Sequence, residues 1–116
     1  MNFLNPFECV IEAYKSLWGT VRCKISFDQK IRKRFFWAKW NCWGYTDFDE
    51  DPPVIKISAH LSVFHAVEIL AHELAHLKCG ENDLNHGRRW EETFDALHKE
   101  TMKIILVKQK LYGLEE

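Results

Sequence analysis

The sequence predicts an α+β fold on three observations: a capped helical run at the start, a middle stretch with strand-like alternation, and two further helical runs behind it. The expected architecture is a small antiparallel sheet of about three strands. It packs against the helix that carries Ala71-His72-Glu73-Leu74-Ala75-His76, with an N-terminal and a C-terminal helix flanking it.

Asn5 followed by Pro6 reads as an N-cap and first helical residue, and Phe7, Val10, Ile11, Tyr14, Leu17 and Trp18 recur at helical spacing until Gly19. Val21, Cys23, Ile25 and Phe27 alternate with Arg22, Lys24 and Ser26, the period of a half-buried strand. From Arg34 to Tyr45 aromatic residues occupy both alternating faces, which predicts a strand covered on both sides and central in the sheet. The acidic, proline-containing stretch Asp47 to Pro53 reads as a solvated turn leading to a short strand, Val54 to Ser58. Its carboxylates fit no calcium-loop spacing.

Ser62 is the expected N-cap of a helix from Val63 to about Lys78, ended by Gly80, with Val63, Val67, Leu70, Leu74 and Leu77 on its apolar face. A last helical region starts near His86 and carries Trp90, Phe94, Leu97, Thr101, Ile105 and Leu111 on one side. A break around Lys99, with Lys103 to Val107 as a strand, is the alternative there.

A chain of 116 residues is the size of one domain and hides roughly two-thirds of the surface its unfolded form exposes. With 47% hydrophobic residues and a net charge of -1, it is neither a disordered chain nor a wholly basic nucleic-acid binder. The start, MNFLNPFECV, has no basic segment followed by a long apolar one, and no window reaches the length of a membrane span, so a cytoplasmic protein is expected. Cys9, Cys23, Cys42 and Cys79 form no Cys-x-x-Cys pair and read as reduced, mostly buried thiols.

The chemistry lies in AHELAH. Residues four apart on a helix differ by about 40° in direction and roughly 6 Å in rise, so the imidazoles of His72 and His76 project together and can grip one metal ion. Neutral imidazole suits zinc, and a bound ion lowers the pKa of its water to around 7. Glu73, the second position of an H-E-x-x-H pattern, then serves as general base toward that water rather than as a ligand. A catalytic zinc needs a third protein ligand. His86 is the leading candidate, nine residues beyond His76 with Gly80 between them to turn the chain. Glu91 is the rival, with Asp95 one turn further on, in the manner of gluzincin proteases.

AHELAH followed by His-Gly-Arg-Arg-Trp at His86 to Trp90 resembles the SprT-like and Spartan-like metalloprotease domains, which pair a HExxH helix with a downstream His-Gly-x-x-aromatic signature. The run IKISAHLSVFHAVEILAHELAH, a strand leading into that helix, extends the likeness over nearly the whole chain. The resemblance implies a zincin-like mini-domain with His72, His76 and His86 on Zn²⁺, Glu73 as catalytic base and Trp90 packed to hold His86. It implies an endopeptidase of proteins bound or crosslinked to DNA, hence a nucleoid or nuclear location as the alternative to the cytoplasm. Many relatives add a cysteine zinc ribbon after the protease domain. Residues 1–116 are expected to be that domain alone, with no C-terminal ribbon.

The expected partner is a peptide or protein chain bound in extended form along an exposed sheet edge. A basic patch from Lys30 to Arg34 with Lys24 and Lys39 would suit DNA association, although a solvated turn is the preferred account, short basic runs being common on surfaces. Trp37, Trp40, Trp43 and Tyr45 are expected to pack mostly in the core rather than stack on bases. His65 points the same way as His72 but lies about 10 Å along the helix axis, too far to share an ion. The alternatives to this enzyme are a non-catalytic, zinc-containing, DNA-associated binding module and a regulatory gluzincin-like protease using Glu91.

Overall fold

A computed structural model describes residues 3–29, 43–80 and 86–113. Within them the chain forms α1 (Pro6–Trp18), β1 (Lys24–Asp28), β2 (Gly44–Asp47), β3 (Val54–Ser58), α2 (Val63–Cys79) and α3 (Arg88–Leu111). The α+β class and the three-stranded sheet agree with the sequence reading.

The helix ends obey local chemistry. Asn5 Oδ1 accepts from the Phe7 N–H at 3.0 Å with Pro6 in the first turn, and Ser62 Oγ accepts from the His65 N–H at 3.2 Å. Gly80, with φ of 93°, ends α2 and donates its N–H to the His76 carbonyl at 2.9 Å. Helix α3 runs unbroken through Lys99 and the Lys103–Val107 stretch, so neither the break nor the strand alternative occurs. Thr101, the one buried hydroxyl on its inner face among the described residues, donates to the Leu97 carbonyl at 2.7 Å and is satisfied within the helix.

The sheet departs from expectation in two ways. Its order is β1-β3-β2, with β3 central, and it is mixed: β2 pairs antiparallel to β3, but β1 pairs parallel to it, Lys24 opposite Val54 through Asp28 opposite Ser58. The physical reason is connection length. The short turn before Val54 reverses the chain between β2 and β3, whereas residues 29–53 give β1 and β3 the dozen or more residues that a parallel crossover needs. The described end of the aromatic run, Trp43 to Tyr45, leads into β2, which among the described strands lies at one side of the sheet, not at its centre. The central position goes to Val54–Ser58, whose Ile55 and Ile57 are wholly buried on one face while their neighbours are half-buried.

The core lies between that face and the helices. Val10, Ile55, Ile57, Leu70, Leu74 and Leu97 are its fully enclosed members, each contributing about 1.5–3 kcal/mol by removal from water. Small residues, Cys9 and Ala13 on α1 and Ala66, Ala71 and Ala75 on α2, are buried with them and let the helices approach closely. Helix α1 is tied across to α3 by Lys108 Nζ on Glu12 Oε1 at 2.6 Å and by Ser16 Oγ donating to Glu100 Oε1 at 3.3 Å.

Cys9 and Cys79 are buried and Cys23 half-buried, all as free thiols, and burial pushes the Cys23 thiol up to about 11. Cys42, Trp37, Trp40 and the basic run Lys30 to Arg34 with Lys39 lie outside the described residues. Trp43 does not pack into the core as expected: it is 54% exposed, because it stands just before the edge strand, with its ring 4.4 Å from that of His65. In the acidic turn Asp47 Oδ1 accepts from the Asp49 N–H at 3.0 Å, and residues 49–51 are exposed. No described helix is long and apolar enough to cross a membrane.

Candidate metal centre

Helix α2 lies between the sheet and α3, so its polar residues are enclosed along with its apolar stripe: Glu73 and His76 are both buried. Burying polar groups is unfavourable unless they are partnered, and their presence here marks chemistry rather than packing. His72 and His76, one turn apart, bring their Nε2 atoms to 3.2 Å. His86, two residues ahead of α3, brings its Nε2 to 2.9 Å from that of His76 and 3.1 Å from that of His72. Burial grades from His76 through His72 to the exposed His86, so the cluster opens to solvent on the His86 side.

Such a triangle cannot satisfy itself by hydrogen bonding. Each ring nitrogen carries either a proton or a lone pair, so among three mutually adjacent nitrogens at least two must be alike and repel. Three lone pairs aimed at one cation remove the conflict. Two nitrogens bound to one tetrahedral zinc at about 2.0–2.1 Å stand roughly 3.3 Å apart, and the observed separations of 2.9 to 3.2 Å are close to that spacing. Burial, and after it the neighbouring His86, holds His72 below the ordinary imidazole value and so favours its neutral, ligating form. The residues present therefore fit a metal ion.

Glu73 flanks the triangle without joining it. Its Oε2 is 3.9 Å from His72 Nε2, while its Oε1 accepts a hydrogen bond from Thr46 Oγ1 at 3.0 Å. Trp90, in the first turn of α3, sets its ring against all three imidazoles, with centroids 4.6 Å from His86, 4.8 Å from His72 and 5.6 Å from His76. It stacks in turn on Phe94 at 5.1 Å, so the ring contacts run on from the cluster along α3. Glu91 is exposed and Asp95 likewise, and among the described residues the group able to hold a metal consists of the three histidines alone. His65 stays apart from it, against Trp43.

Sequence reasoning missed Thr46. Gly44 and Thr46 are two residues apart on β2, and Ile69 and Glu73 are four apart on α2. A two-residue strand step of about 6.8 Å nearly matches a four-residue helix step of about 6 Å, so the strand runs alongside the helix with Gly44 against Ile69 and Thr46 against Glu73. No periodicity within either segment reports that pairing.

Fold and site together define a metallopeptidase-like domain. Residues 28–104 match the IrrE N-terminal-like domain family, peptidase M78, and the chain belongs to that family. In fold it is similar to the metallopeptidase zymogen of Pyrococcus abyssi abylysin, known from a crystal structure, at 15% identity and a TM-score of 0.57 over 94% of this chain and 96% of that one. A comparison with curated proteins returned no match. The metallopeptidase class expected from AHELAH and HGRRW is thus shown, but in a family other than the SprT-like one.

Proposed function

We propose that the protein is a zinc-dependent endopeptidase in which His72, His76 and His86 hold the ion and Glu73 is the general base. The observation that carries this reading is the triangle of three Nε2 atoms within 3.2 Å of one another, with a buried carboxylate beside it. Zinc held there would supply Lewis acidity, activating water at neutral pH and polarising the scissile carbonyl. Glu73 takes the proton of the attacking water and returns it to the leaving amine, so that the amine departs neutral. Its low exposure excludes bulk water from that transfer, and its Oε2 faces the imidazoles where the proton is exchanged.

The substrate is a peptide in extended form. Among the described strands β2 is at one side of the sheet, and it runs beside the helix that bears the base, which suits main-chain pairing with a substrate strand and tolerance of varied side chains. A DNA-linked substrate, implied by the SprT-like resemblance, has no support in the family match.

The decisive experiment is Glu73→Gln, assayed on casein with the zinc content measured in parallel. The expected outcome is a loss in kcat/KM of about 10²–10⁴ with zinc retained. Cleavage by the variant at the wild-type rate would sink the assignment, and a wild-type protein that binds zinc but never cleaves would be a metal-bearing binding module instead.

A further inference from the structure

We infer that Thr46 is a positioning residue for Glu73: its hydroxyl, carried on β2, anchors one carboxylate oxygen so that the other is the one turned to the imidazole cluster. This rests on the reading of Glu73 as the base.

The hydroxyl has one proton and two nearby acceptors on the same residue, Glu73 Oε1 at 3.0 Å and the Glu73 backbone carbonyl at 3.4 Å. The shorter contact, to the charged oxygen, is the stronger, since hydrogen bonds to ionised acceptors are roughly twice as strong as neutral ones. Oε2 is the oxygen nearer His72 Nε2, at 3.9 Å. The two oxygens are thereby given separate tasks: Oε1 is held by the sheet and Oε2 carries the proton in transit. When Oε2 is protonated, Oε1 becomes the carbonyl oxygen of the acid and still accepts from Thr46, so the group need not rotate between taking the proton and giving it up.

The anchor is rigid on its own side as well. Threonine is β-branched and stiff about its first side-chain torsion, and its strand is hydrogen-bonded to β3 with Thr46 opposite Ile55. A glutamate loses more rotamer freedom on ordering than most side chains, so a fixed partner is needed to keep it in one orientation. The short threonine reaches it because Gly44 lets the strand lie close to α2: a methyl group at position 44 would run into Ile69 Cγ2 and come within 3.0 Å of the Lys56 carbonyl.

The test compares Thr46→Val, which keeps the shape and removes the hydroxyl, with Thr46→Ser, which keeps the hydroxyl. The expected result for T46V is a fall in kcat of roughly tenfold or more, with KM and zinc content unchanged, and T46S within about threefold of wild type. T46V added to E73Q should cost nothing further, because the hydroxyl acts through the carboxylate. In metal-free protein, T46V and Glu73→Ala should be non-additive in a urea-unfolding cycle. Should T46V not fold, T46S against Thr46→Ala gives a comparison in which only the hydroxyl oxygen differs. Wild-type kcat in T46V, a change in KM alone, or additivity in either cycle would overturn the inference. Undiminished cleavage by E73Q instead removes the general-base reading beneath it, and that outcome is read without any change at Thr46.

Discussion

At the residue scale, reach favours His86 over Glu91 as the proposed third ligand. A glutamate at position 91 lies in the first turn of α3 with its backbone N–H on the Gly87 carbonyl at 3.0 Å, and its side chain is exposed, whereas His86 stands ahead of the helix and turns its ring into the cluster. His86→Ala is accordingly expected to lose most of its zinc on passage over a weak chelator, and Glu91→Ala to keep it, as measured by elemental analysis of the purified proteins. Zinc lost only in the glutamate variant would restore the gluzincin-like arrangement. His72, Glu73 and His76 were legible as a group because a helix turns a four-residue spacing into a shared direction. Trp90 was reached only through the resemblance, as the aromatic that closes His-Gly-Arg-Arg-Trp. Thr46 was not legible, since a lone threonine in a strand carries no signal of what stands opposite it.

At the element scale, the site depends on β2 lying against α2. The helices were legible almost to the residue, because their caps are local chemistry: Asn5 with Pro6, Ser62, Gly19 and Gly80 all sit where the helices begin or end. The strands were legible as strands, but alternation reports only that one face is buried and says nothing of pairing direction or order. An all-antiparallel sheet with the aromatic strand at its centre was the natural expectation, and among the described strands a parallel β1–β3 pair forms, with β3 at the centre and β2 at one side. Gly44→Ala tests the role of that contact. Overpacking of this kind costs about 1–3 kcal/mol, and the variant should show both a lowered urea midpoint and a reduced kcat, because moving β2 moves Thr46. Stability and kcat both at wild-type values would mean that the strand has room the geometry denies.

Over the whole molecule, the proposed ligands come from α2 and from His86 two residues ahead of α3, so a bound ion would tie together two helices that also share the core through Leu70, Leu74 and Leu97. An ion that binds only this arrangement stabilises the fold by about 2.7 kcal/mol at a free concentration a hundredfold above Kd, on the order of 10 °C in Tm for a domain of this size. Zinc added to metal-free protein should produce that rise in calorimetry, a strong chelator should reverse it, and H86A should abolish it. A rise of equal size in H86A would place the ion elsewhere.

Helix positions, the α+β class and the pair of imidazoles with an acid between them were all readable from the order of residues, since each depends on neighbours within a turn or two of the chain. The approach of His86, the closeness of Thr46 to Glu73 and the mixed pairing of the strands depend on contacts between segments 10 to 30 residues apart. Those contacts follow from how the enclosed faces of α2, α3 and the sheet pack together, a property of shape in three dimensions that no local pattern of residues encodes.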